Sequence, residues 1–494
     1  MMNRLLSLGV LSLMVWCAGI AAADTPVPDV AALVSRFGGP HWYTVHLMGR
    51  RAGYVRWQAH ADDTPAGPRL RIEEYSKIYF RIEAGPQEMD SRQVVYYDAR
   101  LRPHSIRLWQ NLMGRLSETT VDVDRTELHV TISQPDGVHE RRLAVPDDFG
   151  SELSVMLAAA SGQIGPGWET AFSAFDPYSG HFDRYLVSFS RWEETNEGRL
   201  AVLQTRLEQL GLAVESRLDS DGMLIRQGLS ELMGMEMIRS TEQEALAEIV
   251  GPALGSGIAV GMAPTDPHKA DQVSLLANAA GGAVTELVPT TSRQQVLTQS
   301  DGSALIVTTP EQAPAEALQL PITDPELAVY LEPNELTQSD SDAIKRLAEG
   351  IIGQERDAWR CAQLLLRWVH QNLRKLSSEP RPLSALEILQ AGEGDCSEHA
   401  VLLAALAKSA GIPVRIVVGL VYVNGSYGYH EWNELFVGRW VQMDASWGRE
   451  TVGAGHVELA KSASDRDAML TSHLAIGRTI GTLFLKFDHS RNAE

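Results

Sequence analysis

The sequence predicts an α+β chain in which a strand-rich antiparallel region comes first and a helical region that turns back into strands comes last. Three observations carry this. From His41 to about Arg239, apolar residues recur with period two between turn signals. From Tyr330 onward the apolar spacing changes to three and four. After Gly411-Ile412-Pro413 the pattern returns to strands. Runs of strands followed by a separate helical run mark the α+β class rather than an alternating one. With 494 residues, 44% of them hydrophobic, the chain is long enough for two or three packed cores.

The chain is read as four segments. Residues 1–23 predict a secretory signal: Arg4, an apolar stretch from Leu5 to Ile20, then Ala21-Ala22-Ala23, with removal after Ala23. The apolar stretch is short for a membrane span, and no other stretch is long enough for one, so no integral span is expected in the mature chain. The expected location is periplasmic or secreted. Residues 24–245 form the strand-rich region, with segments such as Tyr43 to Leu47, Arg69 to Ile82, Glu127 to Ile132 and Tyr185 to Phe189 and a short helix within Ser151 to Ser161. Trp42, Trp57, Trp109 and Trp192 are expected as core or sheet cover rather than a ligand groove. Residues 246–329 are expected to be a linker with a small β-element, Val284 to Val288 and Ala304 to Thr308. Residues 330–494 begin with two amphipathic helices, one on Ile344, Leu347, Ala348, Ile351 and Ile352 and capped by Asp340 or Ser341, the next on Cys361, Leu364, Leu365, Trp368 and Val369.

A formal charge of -20 at pH 7 gives a surface that repels phosphate backbones and anionic headgroups, which excludes nucleic acid as a partner. Loss of the signal would take Cys17 and leave Cys361 and Cys396. In an exported chain these two could form a disulfide, or one could be a reactive thiol.

The stretch Gly394-Asp395-Cys396-Ser397-Glu398-His399 opens an apolar run through Leu406, so Cys396 sits at a helix start. Backbone N–H groups without intrahelical partners and the positive end of the helix favour an anion there, whether a thiolate or the oxyanion that forms when sulfur attacks a carbonyl. A thiolate needs a base, and the base needs an orienting acceptor. His430 and Asp444, on successive strands, supply those residue types. Their faces depend on one loop. A two-residue Gly438-Arg439 turn would put Asp444 opposite Asn433 on the wrong face, whereas a three-residue loop pairs Phe436 with Trp440 and brings His430 and Asp444 to one face. The odd loop is therefore predicted.

These residues resemble the transglutaminase-like superfamily: Gly394-Asp395-Cys396, then Gly411-Ile412-Pro413-Val414-Arg415, then His430-Glu431-Trp432, then Trp440 and Asp444. The resemblance covers about Tyr330 to the end. It implies a cysteine-protease-like α+β core with Cys396 as nucleophile, His430 as base and Asp444 as its orienter. Glu431 stands where Ala is frequent, and Ala445-Ser446 where Pro-Thr is common.

Neighbouring groups receive structural roles: His399 packing or facing solvent, Glu398 favouring the helix start, Asn433 pointing away from His430, Arg415 pairing with a carboxylate, Trp432 covering the pair or filling the core. His456 has no evident partner. Neither a metal nor an organic cofactor is expected, because no ligand spacing accompanies Cys396 and His430. The expected function is an exported thiol enzyme acting on carboxamide or peptide bonds of a protein or peptide through an acyl-enzyme, as amidase, protease or protein-glutamine acyltransferase. The alternative is a catalytically idle envelope binding or scaffold protein, its strand-rich domain engaging an envelope protein partner.

Overall fold

The computed structural model describes residues 29–491 apart from 66, 83–84, 113–114, 125, 135–136, 151–152, 178–180, 197, 209–211, 230–233, 254–256, 264–265, 281, 335, 377–382 and 463–474. The expected signal segment and Cys17 lie outside the described residues. Contacts divide the chain between residues 254 and 255 into two compact units. Among the described residues no helix is long and apolar enough to cross a membrane.

The first unit is one fourteen-stranded antiparallel sheet. Its first eight strands run in sequence order from His41–Leu47 to Gly137–Ala144, and its last six from Glu169–Asp176 to Met235–Ser240. The two runs join where His41–Leu47 pairs with Met235–Ser240. Period-two burial is visible in His41–Leu47, where Tyr43, Val45 and Leu47 are buried and their neighbours are not. The small and apolar stretch after residue 151 is a helix, Leu153–Ala160. Trp57 lies in the core, while Trp109 and Trp192 sit half-buried under Arg92 and Arg199, so these three tryptophans fill or cover the sheet.

The second unit holds the longest helices among the described residues. Asp342–Ile352 is capped by Ser341, which accepts from the Ile344 N–H, and Ala358–Asn372 by Asp357, which accepts from the Arg360 N–H. Ala385–Ala391 and Cys396–Ser409 follow. The last is buried from Cys396 through Lys408, so its apolar residues face the core on every side. Its sheet runs Gly257–Ala259, Ser426–Phe436, Val414–Val423, His456–Lys461, with Trp440–Met443 also paired to Ser426–Phe436. The Val414–Val423 and Ser426–Phe436 hairpin turns on Asn424 (φ 46) and Gly425 (φ 91), a left-handed pair that this dipeptide adopts most readily.

The segment expected as a linker is built into this unit. Gln272–Ala279, Gln294–Thr298 and Ala304–Thr308 form a second sheet with Leu483–Arg491, and their apolar residues pack with Leu420, Val457 and Leu459. Ala304–Thr308 is the expected strand, but Val284–Leu287 is one helical turn. Val284 and Val288 are both buried while Glu286 between them is exposed, the pattern of a helical turn rather than of a strand, whose face would include all three, and Pro289 ends it.

Candidate functional site

Cys396 is the first residue of its helix. Asp395 caps that helix by accepting from the Ser397 N–H at 2.8 Å, and Glu398 reaches back to accept from the Asp395 N–H at 2.8 Å. This reciprocal box contributes about 1 kcal/mol and fixes the turn that presents the sulfur. Gly394 is required beside it, since a Cβ there would lie 2.3 Å from the Glu398 Cβ. Glu398 thus has the helix-start role read from the sequence.

His430 comes from the strand Ser426–Phe436 and Asp444 follows Trp440–Met443. The loop between the strands is odd: Phe436 pairs with Trp440, Leu435 with Val441, Glu434 with Gln442, and the Val437 N–H bonds the Arg439 carbonyl at 2.9 Å. Gly438 provides the positive φ of 119 that closes it. With that parity His430 and Asp444 meet, Nε2 to Oδ2 at 2.8 Å, both buried. The Asp444 backbone is clamped as well, exchanging two 2.8 Å hydrogen bonds with Arg449.

Asp444 is the hub. Its Oδ1 accepts from Ser446 Oγ at 2.8 Å and the Trp447 N–H at 3.1 Å, and its Oδ2 accepts from His430 and, at 3.2 Å, from His456 Nε2. Burial alone would raise its pKa, but the two imidazoles hold it well below the usual carboxylate range. Burial likewise acts to lower the His430 pKa. It is outweighed by Asp444 and Cys396, each acting by charge and by a side-chain hydrogen bond, which raise it to about 10. With Nε2 directed to Asp444, Nδ1 is the nitrogen left for sulfur. The structure therefore brings Cys396, His430 and Asp444 together.

Trp432 serves both roles expected of it. It is 1% exposed, its ring stacks on His430 with centroids 6.1 Å apart, and its Nε1 donates to Gln442 Oε1 at 3.1 Å. The absence of a side chain at Gly419, which pairs with His430 on the next strand, makes room: a Cβ there would lie 2.5 Å from Trp432 and 2.1 Å from the Val457 carbonyl oxygen. Asn433 points away, donating to the Ala400 carbonyl at 3.0 Å. His399 is buried with Nδ1 on the Asp395 carbonyl at 2.7 Å, and burial lowers its pKa, so it packs rather than facing solvent. Arg415 pairs with Glu434 at 2.7 Å and lies 3.9 Å over Trp440.

Cys361 and Cys396 are both free thiols, so the disulfide alternative does not hold here. Cys361 belongs to the helical core, where burial pushes its pKa up to about 11.

The reading of the sequence missed His456, which is 0% exposed and shares the Asp444 oxygen with His430. The available signal was weak: a histidine opening an alternating run, Val457-Glu458-Leu459, after glycines. It also missed Arg293, buried in the segment expected as a linker, whose guanidinium donates at 2.9 Å to the carbonyls of Gly453 and His456. Nothing in the sequence around Arg293 marks it. The ligand atoms of His430, Asp444 and His456 lie within 4.8 Å of one another. Both imidazoles reach Asp444 through N–H groups, so a cation of the zinc type would enter only by displacing those two protons.

Residues 345–445 match the family model of the transglutaminase-like superfamily. No curated protein matches the chain. Among solved structures, a Cytophaga hutchinsonii protein described as a candidate cysteine protease is similar at 17% identity and TM-score 0.32, covering 45% of this chain and 89% of its own. A β-barrel-like protein of unknown function from Brucella abortus is similar at 12% identity and TM-score 0.30, covering 41% of this chain and 96% of its own. The periplasmic domain of TgpA from Pseudomonas aeruginosa, bound to ethylmercury, is similar at 14% identity and TM-score 0.24, covering 39% and 89%. Similarities of this size carry no residue role across. The stretch that the family model matches contains Cys396, His430 and Asp444 and stops short of His456, so residues 345–445 of this chain carry a transglutaminase-like domain.

Proposed function

We propose that the chain is an exported thiol enzyme that opens carboxamide or peptide bonds of a protein or peptide substrate. Cys396 attacks the carbonyl carbon as a thiolate, and the oxyanion forms at the positive end of its helix. The C–N bond breaks as His430 gives its Nδ1 proton to the leaving amine, which leaves an acyl thioester. Water or a second amine then attacks the thioester, His430 takes its proton, and an acid or a new amide departs with Cys396 restored. Asp444 holds His430 throughout with Nδ1 toward sulfur. The observation that supports this most strongly is the single imidazole acted on by both Asp444 and Cys396. Export rests on the character of residues 1–23, and the strand-rich unit is proposed to engage an envelope protein partner.

The test is alkylation of the mature protein with iodoacetamide from pH 4 to 9, followed by intact mass, for the wild type, Cys396→Ala and His430→Ala. The reading expects one rapid label below the ordinary thiol pKa of about 8.5, absent in Cys396→Ala and slowed on the order of 100-fold near neutral pH in His430→Ala. A Cys396 that labels no faster than a free thiol, or identically without His430, would leave the idle scaffold as the better description. Products of a glutamine-containing peptide with and without an added primary amine then separate hydrolysis from acyl transfer.

A further inference from the structure

The Asp444 carboxylate carries a second imidazole that the thiol chemistry does not need. His456 Nε2 lies 3.2 Å from the oxygen that His430 Nε2 reaches at 2.8 Å. An ionised carboxylate only accepts, so both nitrogens carry hydrogens. His456 is therefore fixed in the tautomer that leaves Nδ1 as a bare lone pair, and that atom has no protein hydrogen-bond partner. A fully buried imidazole that leaves one nitrogen unsatisfied costs stability, and the fold adds to that cost by burying Arg293 on the same residue. Arg293 is 5% exposed, and Nη1 and Nη2 both donate to the His456 carbonyl at 2.9 Å. His456 is held from the backbone side by a guanidinium and reaches Asp444 from the side-chain end.

The charged and titratable groups facing it are Asp444, His430 and Arg293, with His268 edge-on at 5.7 Å between centroids and Trp432 and Trp447 closing the remaining sides. Burial first, then His430 and Arg293, lower its pKa to about 4 against the pull of Asp444. Of the two histidines on one carboxylate, one favours the charged form and the other the neutral form.

We propose that His456 is a positioning residue, a neutral imidazole protonated on Nε2 that keeps Asp444 ionised and aimed, so that His430 presents Nδ1 to Cys396. This rests on the thiol reading above. Without the His456 donor, Asp444 loses one of the four hydrogen bonds that stabilise its anion, and it takes up a proton at higher pH. A protonated Asp444 no longer holds His430 as an imidazolium, so the acidic limb of Cys396 reactivity moves upward in pH.

The experiment has two readouts on the full mature chain. Histidine ¹⁵N spectra of the wild type between pH 5 and 9 are expected to show His456 with Nε2 protonated and Nδ1 bare throughout. The iodoacetamide profile is expected to shift its acidic limb upward by about one pH unit in His456→Leu, with near wild-type behaviour restored in His456→Gln, whose amide can donate from the same place. A His456 that is an imidazolium, or protonated on Nδ1, overturns the proposal without any variant. Equal shifts in Leu and Gln, or no shift in either, also overturn it, because a purely packing role predicts them. If His456→Leu does not fold, the spectra and the Gln profile still decide. An unreactive wild-type Cys396 beside a neutral Nε2-protonated His456 would count against the thiol reading and not against this brace.

Discussion

In the fourteen-stranded sheet Arg226 meets Glu236 at 2.6 Å with the two side chains 44% and 36% exposed. In the C-terminal unit His430 and Asp444 meet at a similar distance, 2.8 Å, but are 6% and 1% exposed. Nearly equal geometry has different consequences because water competes for the first pair and not for the second. Exposed pairs contribute about 0 to 1 kcal/mol, whereas removing one member of a buried pair costs about 3 to 5 kcal/mol because its partner is stranded. The comparison teaches that an exposed pair such as Arg226 and Glu236 is replaceable, while the buried pair His430 and Asp444 specifies an arrangement.

Asp444→Ala should have the largest effect. It strands two imidazoles, Ser446 Oγ and the Trp447 N–H, and should cost about 3 to 5 kcal/mol, read as faster hydrogen exchange of the Val417 and Leu435 amides. An effect below 1 kcal/mol would erase the contrast between the units. Gly419→Ala comes next, at about 1 to 3 kcal/mol by the same readout, because its Cβ would press on the Val457 backbone and on Trp432 at once.

The pH dependence of that exchange sharpens the comparison further. His430 has a folded pKa raised to about 10, so its contribution is complete below the unfolded value near 6.5 and is lost as pH rises through about 10. His456 has a folded pKa lowered to about 4, so it binds protons more readily unfolded, and stability falls as pH drops from about 6.5 toward 4. Each slope is at most about 1.4 kcal/mol per pH unit, and together they place the maximum for this unit near pH 6.5. His430→Gln should flatten the alkaline limb and His456→Gln the acidic one; a limb that survives its own substitution would assign it to another group. The smallest effect belongs to the open sheet, where Arg226→Ala should change exchange of the Met235–Ser240 strand by less than about 1 kcal/mol, and raised salt should shrink even that.

The parts of this structure legible in the sequence are those fixed by local rules. The helix at Cys396 follows from Asp395, Glu398 and an apolar run; the hairpin follows from Asn424-Gly425; and the meeting of His430 with Asp444 follows from counting residues across an odd loop. What was not legible depends on distant segments meeting. Val284–Leu287 read as a strand because five apolar-rich residues between glycines and a proline fit either period, and only the exposure of Glu286 between buried Val284 and Val288 decides. Arg293 carries no local signature, since its partners are carbonyls 160 and 163 residues away. His456 was invisible for the same reason: its role is set by Asp444, which in turn was recognised only through His430.

Arg293 is one member of a row. Gln294 Nε2 donates to the Glu458 carbonyl at 2.9 Å, its Oε1 accepts from the Glu458 N–H at 2.8 Å, and Thr308 Oγ1 donates to the Ala454 carbonyl at 2.6 Å. The contacts that support the proposed triad are therefore spread wider than the stretch the family model matches. A chain trimmed to residues 330–494 keeps all three residues of the proposed triad, yet it leaves the carbonyls of Gly453, Ala454, His456 and Glu458 to find other donors. Recombination that swapped such a module between proteins would carry the reagents across and leave their mounting behind.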